Sequence, residues 1–116
     1  SISSVREYFS GRKITGIFQP HLFSRTRDHA DAFAKALDNL DEVILLPIYP
    51  AREEPIKDVT SELIFNSMRL TNKKLLRKED IPESLDTSAI DVIVTLGAGD
   101  IDTLVVPIED KLKKER

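Results

Sequence analysis

Four consecutive apolar residues, Val43-Ile44-Leu45-Leu46, lie near the middle of the chain, and Val92-Ile93-Val94 repeats the pattern further on. Neither stretch alternates apolar with polar residues, as a strand with one face in water does. An unbroken apolar run of this length is typical of a strand that is covered on both faces, which occurs in parallel sheets packed between helices. These two stretches therefore indicate an α/β protein.

Two further segments complete a set of four predicted strands, which we place at Ile14–Gln19, Glu42–Leu46, Lys73–Arg77 and Asp91–Leu96. Between the strands, apolar residues recur with helical spacing, as at Ala30, Phe33, Ala34, Leu37 and Leu40. Helices are predicted before the first strand and after the first, second and fourth, with a short helix between the third and fourth. This alternation predicts a three-layer sandwich, in which a mostly parallel sheet of about four strands carries helices on both faces.

Glycine and proline mark the ends of two of these helices. Gly11 follows the N-terminal helix, whose apolar face is formed by Ile2, Val5 and Phe9, and predicts its end. Pro107 lies inside the last helical stripe, between Leu104 and Ile108. Because proline removes a helical hydrogen bond, we expect a kink or a split there.

Composition excludes several classes of function. The chain has 116 residues, a net charge of −3 and no cysteine. This length fits a single domain over residues 1–116, and the negative charge argues against a nucleic-acid partner. The lack of cysteine excludes thiol nucleophiles and cysteine zinc sites, and we predict no metal site. The longest apolar stretch, residues 43–51, is far shorter than the roughly 20 residues that cross a bilayer. We expect a cytoplasmic domain without a membrane partner, and one cut from a longer protein, since it does not begin with Met.

The first candidate site follows the first strand, at Gln19-Pro20-His21-Leu22-Phe23-Ser24-Arg25-Thr26-Arg27-Asp28. Pro20 is expected to stop the strand, and Ser24 or Thr26 to cap the helix that follows. Arginines in the first turn of a helix lie unfavourably at its positive end. An anion bound between Arg25 and Arg27, with backbone N–H groups and His21, would explain this arrangement.

A structural interpretation of the same residues is also open. Asp28 can pair with one arginine while the other is solvated, and His21 can be a histidine that hydrogen-bonds a carbonyl. His29 lies on the polar side of its helix, and we interpret it as a surface residue.

Two more candidate segments follow other strands. Thr95-Leu96-Gly97-Ala98-Gly99-Asp100 joins the fourth strand to the last helix, with Gly97 and Gly99 permitting a tight turn and Asp100 able to cap the helix. This segment is either a plain turn or a ligand contact, and the sequence contains no P-loop that would hold ATP. After the second strand, Glu53 and Glu54 lie between prolines. They can be metal or amine contacts, or they can belong to a solvated loop.

Three segments in this order and spacing resemble a known family: Phe18-Gln19-Pro20-His21-Leu22-Phe23-Ser24-Arg25-Thr26, Tyr49-Pro50-Ala51-Arg52-Glu53-Glu54-Pro55-Ile56 and Thr95-Leu96-Gly97-Ala98-Gly99-Asp100-Ile101. Together they resemble the C-terminal domain of the Mur ligases of peptidoglycan synthesis, and within that family the branch that adds L-alanine to UDP-N-acetylmuramate. The resemblance covers nearly the whole chain, and the first segment is its most specific part.

The resemblance implies a Rossmann-like domain of a three-domain, ADP-forming amide ligase. ATP and Mg²⁺ would serve the full-length enzyme, whose other domains would hold ATP and UDP-N-acetylmuramate, and this domain would close over the site as a lid. His21 and Arg25 match the family residues that meet the L-alanine end of the product. The resemblance assigns no catalytic residue to this chain, which we expect to be inactive alone and to hold no cofactor tightly.

Two features depart from the family pattern. Many members have a second arginine directly after the histidine, where this chain has Leu22, so a two-arginine clamp would need Arg27 or Arg52. The segment Asp-Asp-Tyr-x-His-His-Pro, which the family places before residue 1, does not occur in this sequence. The alternative function is a stand-alone module of flavodoxin-like architecture that binds a small anion or a nucleotide at the same residues.

Overall fold

The computed structural model describes residues 2–97 and 105–115, with the side chains of 105–107 left out. Strands and helices alternate along these residues in the predicted order. The helices are α1 (Ile2–Tyr8), α2 (Phe23–Leu37), α3 (Glu62–Ser67), α4 (Ile81–Ser84) and α5 (Val105–Glu115), and the strands are β1 (Ile14–Gln19), β2 (Glu42–Leu45), β3 (Lys73–Leu75) and β4 (Val92–Gly97). A 3₁₀ turn at Lys78–Asp80 leads directly into α4.

The four strands form one sheet in the order β3-β2-β1-β4, and every neighbouring pair is parallel. β1 is therefore central. It pairs along its whole length with β4, from Ile14 opposite Val92 to Gln19 opposite Gly97. This arrangement confirms the predicted parallel α/β fold.

Apolar side chains pack on both faces of the sheet, as the unbroken apolar runs predicted. Neighbouring residues of β2 point to opposite sides, so Val43 and Leu45 enter one core while Ile44 enters the other. The first core contains residues of α2 and α3, including Ala34, Leu37 and Ile64; the second contains Ile81 of α4 and Ile108 of α5. Three layers result, with the sheet in the middle.

Element boundaries differ from the predictions by one or two residues at three strands. β2 ends at Leu45, β3 ends at Leu75 instead of Arg77, and β4 runs from Val92 to Gly97. β3 is short because the chain turns away into the 3₁₀ turn, although the N–H of Leu76 still donates to the carbonyl of Leu45 (3.0 Å). Gly11 ends the N-terminal helix region with φ 78°, as expected. Residues 101–104 lie outside the described residues, so the interruption at Pro107 stays a prediction.

Ion pairs connect the segments that precede the strands, at the amino edge of the sheet. Arg6 of α1 pairs with Asp41 (2.8 Å), and Arg12 pairs with Asp91. Asp41 also accepts a hydrogen bond from the backbone N–H of Ile14 (2.8 Å). That bond is the main reason why the pKa of Asp41 is lowered, with Arg6 contributing next. The charges that surround this edge are thus neutralised within the domain.

Candidate functional site

The carboxyl edge of the sheet contains the point where the chain changes direction across the strands. From β1 the chain proceeds to β2 and β3 on one side, and β4 then pairs with the other side of β1 as an edge strand. In open parallel sheets, ligands bind in the crevice outside the carboxyl ends of the strands at such a reversal. Here that position lies beyond Gln19 and Gly97, which end β1 and β4 as a register pair.

Gly97 is held against β1 so closely that no side chain fits. Its φ is +125°, a conformation that L residues rarely adopt, and an added Cβ would lie 2.3 Å from the carbonyl oxygen of Gln19. The backbone of Gly97 therefore lies directly against that of Gln19, with no side chain between them. Gly99 and Asp100, the other candidates of this segment, lie outside the described residues.

His21 lies just beyond β1 and contacts Tyr49 in the loop that follows β2. It forms an isolated parallel bridge with Tyr49, and the two rings stack with centroids 6.0 Å apart. The N–H of Leu22 donates to the carbonyl of Tyr49 (2.9 Å), and the N–H of Tyr49 donates to that of Pro20 (2.8 Å). Pro20 thus ends the regular strand, while pairing with the neighbouring segment resumes one residue later.

The first turn of α2 begins in a strained conformation. Leu22, the residue before the helix, has φ 72°, which is unfavourable for a side chain of its size. Neither Ser24 nor Thr26 caps the helix, so that prediction was wrong. Thr26 is buried and its Oγ1 donates to the carbonyl of Leu22 (2.9 Å), because the helix starts earlier, at Phe23.

Glu53 supplies the negative charge at the start of α2. Its carboxylate accepts hydrogen bonds from the backbone N–H of Ser24 (3.1 Å) and from the hydroxyl of Ser24. These bonds, with further contributions from the N–H of Phe23 and the charge of Arg27, lower the pKa of Glu53. A side chain of the protein itself therefore places a negative charge at this helix end, and the predicted binding of an external anion by Arg25 and Arg27 stays a prediction. Glu53 is thus half-buried against α2, while its neighbour Glu54 is exposed on the same loop.

The arginines near this edge differ in their partners. Arg27 pairs with Asp28 (2.8 Å), which raises the pKa of Arg27 and lowers that of Asp28, as the structural interpretation expected. Arg25 and Arg52 are exposed, and neither has an ion pair with any described residue. An exposed arginine that has no acidic partner within the domain is suited to binding an anion from outside.

No family model matches the sequence, but the chain is similar to several ligases of one kind. It is 50% identical over 115 residues to the UDP-N-acetylmuramate–L-alanine ligase of Parabacteroides distasonis, and 53% identical over 114 residues to that of Porphyromonas gingivalis. These matches cover 99% and 97% of the chain but 25% of each ligase, so the chain spans about a quarter of the length of these relatives. The matched part is their C-terminal quarter.

Nearly the whole chain is thus similar to the C-terminal quarter of these ligases. A solved structure agrees with this in fold. The crystal structure of the UDP-N-acetylmuramate–alanine ligase from Thermotoga maritima superposes with a TM-score of 0.75 at 23% identity, over 99% of this chain and 24% of that one. The predicted resemblance to the C-terminal domain of these ligases and the predicted Rossmann-like fold are both confirmed.

The structure thus places three of the predicted site residues, His21, Arg25 and Gly97, on segments at one edge of the sheet. Arg27 is there as well, engaged with Asp28. The binding roles of these residues stay predictions. No three His, Asp or Glu residues in the described part of the chain are grouped to hold a metal ion. No helix within the same residues is long and apolar enough to cross a bilayer.

The sequence placed Gln19 in the first candidate segment without assigning it a role, and the structure draws attention to it. Its side chain is 7% exposed, and its Oε1 has no hydrogen-bond partner among the described residues. The available signal was its position, since a glutamine directly after Ile17 and Phe18 ends an otherwise apolar strand segment. A polar residue at the carboxyl end of a buried parallel strand is well placed to meet a ligand.

Proposed function

We propose that this chain is the amino-acid-binding lid domain of a ligase that joins L-alanine to UDP-N-acetylmuramate in peptidoglycan synthesis. The observation that carries the proposal is that almost the whole chain is about half identical to the C-terminal quarter of ligases named for that reaction. As in those relatives, further domains would complete the protein. Since its substrates are a nucleotide sugar, ATP and an amino acid, we place the enzyme in the cytoplasm.

The carboxyl edge supports a role in binding the amino acid. L-Alanine brings a carboxylate, and Arg25 offers an exposed guanidinium that no described acidic residue neutralises. Glu53 already accepts hydrogen bonds from the N–H groups of Phe23 and Ser24 at the start of α2. The substrate carboxylate would therefore be bound by side chains, by Arg25 with the imidazole of His21, and not by the helix end. With Leu22 in the neighbouring position, Arg52 is a second cation available on the adjoining loop.

The remaining chemistry is assigned to parts of the enzyme beyond this chain. The full-length ligase would form ADP, with ATP supplying the activation of the lactyl carboxylate that the amino group of L-alanine attacks. This sequence has no G-x-x-x-x-G-K-[ST] segment for the phosphates. Its described residues also offer no cluster of metal ligands. We therefore derive no step through ATP or Mg²⁺ on this chain, and assign it the roles of binding the amino acid and excluding water when the domains close.

A domain exchange tests the proposal directly. The C-terminal quarter of the Porphyromonas gingivalis ligase is replaced by this chain, and L-alanine-dependent release of phosphate is measured with ATP, Mg²⁺ and UDP-N-acetylmuramate. We expect the chimera to form the amide product, while the relative truncated before this quarter forms none. A folded chimera that binds UDP-N-acetylmuramate and ATP but makes no product would overturn the proposal.

The isolated chain provides the matching control. Mixed with the same substrates, it is expected to form no product, because the phosphate-binding loop lies elsewhere. Amide formation by the chain alone would show that the division of labour proposed above is wrong.

A further inference from the structure

One cavity at the carboxyl edge of the sheet is lined by neither His21 nor Arg25. It lies between the ends of β1 and β2 and the 3₁₀ turn, and its volume is about 270 Å³. Its wall includes Gln19, the segment from Leu46 to Pro50, and residues 77–79. A space of this size accommodates a small molecule of about the size of a monosaccharide.

Gln19 is the group in this cavity that lacks a partner. The side chain is buried, with 7% exposure, yet its Oε1 accepts no hydrogen bond from any described residue. A buried acceptor left without a donor destabilises a protein, and nearly all such atoms are satisfied in native structures. A molecule in the cavity that donates an O–H or N–H group would remove this deficit.

The charged side chains at the opening of the cavity indicate the charge that the other end of the bound molecule carries. Arg77 has an exposed side chain, and its contact with Asp80 is long, at 3.4 Å through Nε. Lys78 and Glu79 also line the cavity, so two of the three charged side chains in its lining are cationic at neutral pH. The wall between Gln19 and these charges is largely apolar, from Leu46, Pro47 and Ile48.

We propose that this cavity binds a small organic anion that donates a hydrogen bond to Gln19 Oε1 and places its negative charge beside Arg77. Phosphate esters and hydroxy carboxylates share this chemistry. The cavity adjoins the candidate site through Gln19 and Tyr49, but neither His21 nor Arg25 lines it, so variants at Arg77 test it apart from the proposed amino-acid site.

Titration of the ¹⁵N-labelled chain, followed by NMR, tests the proposal with two probes. Ribose 5-phosphate carries hydroxyl donors with a phosphate, and gluconate carries them with a carboxylate. We expect at least one of them to saturate, with shifts at the Gln19 side-chain amide and at residues 77–79. Ribose and inorganic phosphate, which each lack one of the two features, are expected to bind at least about tenfold more weakly. The probe that saturates identifies which anionic group the cavity accepts.

Two variants and one control assign the binding to these residues. Gln19→Met keeps the length of the side chain but removes the acceptor, and Arg77→Ala removes the exposed cation. Each is expected to weaken binding about tenfold or more, whereas Arg69→Ala, an exposed arginine before β3, leaves it unchanged. Gln19→Met should also raise the thermal midpoint of the ligand-free chain, since an unsatisfied buried acceptor is removed.

The outcomes that overturn the proposal are specific. They are the failure of both probes to saturate, equal binding of ribose and ribose 5-phosphate, or wild-type affinity in Arg77→Ala. Because Arg77 is exposed, that variant decides the question even if Gln19→Met does not fold. None of these results would affect the domain-exchange assay.

Discussion

The carboxylate of Glu53 accepts hydrogen bonds from both the backbone N–H and the hydroxyl of Ser24, although the two residues are 29 positions apart in the chain. This contact ties the loop after β2 to the first turn of α2. It also places a negative charge at the positive end of the helix, where such a charge is stabilising. The segment that carries Arg25 is therefore held in place from within the domain.

Glu53→Gln is expected to lower the thermal midpoint by a few degrees at pH 7. The pKa of Glu53 is lowered in the folded chain, so its stabilising effect is present above the unfolded pKa of about 4.3 and is lost as pH falls through the folded pKa. The difference between the two proteins should accordingly close on acidification, because both side chains are then neutral. Thermal melts between pH 7 and pH 3 measure this, with Glu54→Gln as the exposed neighbouring control. A gap that stays constant with pH would contradict it.

Gly97→Ala is expected to destabilise the chain more than Gly11→Ala does. Both glycines have positive φ, which costs another residue about 1–2 kcal/mol. Only at Gly97 would the new Cβ also collide with the backbone, 2.3 Å from the Gln19 carbonyl oxygen, whereas nothing lies within 4 Å at Gly11. We expect a further loss of about 1–3 kcal/mol at Gly97, from urea unfolding. Equal losses in the two variants would show that β4 can move away from β1.

Asp41→Ala is expected to lower the free energy of unfolding by about 1–2 kcal/mol, because the N–H of Ile14 loses its acceptor along with Arg6. Arg6→Ala should cost less, about 0–1 kcal/mol, since the Asp41 side chain is 42% exposed and water screens the pair. The lowered pKa of Asp41 means that this contribution is lost as pH falls. A double-mutant cycle by urea unfolding measures the pair, and equal effects of the two single variants would contradict this ranking.

Arg25→Ala is expected to raise the KM for L-alanine in the chimera about ten- to a hundredfold, the effect of removing a hydrogen bond to a charged group. The thermal midpoint of the chain should stay unchanged, because Arg25 is exposed and has no ion pair among the described residues. Lys35→Ala, another exposed cation of α2, is the matched control. An unchanged KM and kcat would remove Arg25 from the binding site.

The strands could be predicted because the apolar runs that form them are visible in the local sequence. Ile14–Gln19 was predicted with its observed bounds, since an apolar segment ends there at a proline. β3 was predicted too long, because its end depends on the 3₁₀ turn that follows and on a single partner strand. The order of the strands follows from how the helices pack on the two faces, which no single segment encodes.

The site was predictable only in its outline. His21 and Arg25 could be named because they follow a strand directly, and ends of parallel strands share one edge. The role of Glu53 could not be inferred, because its contact with Ser24 depends on the bridge between His21 and Tyr49 that aligns the two loops. The unsatisfied carboxamide of Gln19 likewise arises from packing, and only coordinates reveal it.

The central position of β1 has a consequence for how the chain is made. Its two neighbours are synthesised at very different times, because β2 follows it closely whereas β4, whose Val92 pairs with Ile14, is the last of the four strands to emerge. While the ribosome is still translating the intervening residues, one long edge of β1 remains exposed, with its apolar side chains available to other nascent chains. Pairings of such wide sequence separation form slowly. We therefore expect the sheet to be completed during biosynthesis by the pairing of β4 with β1.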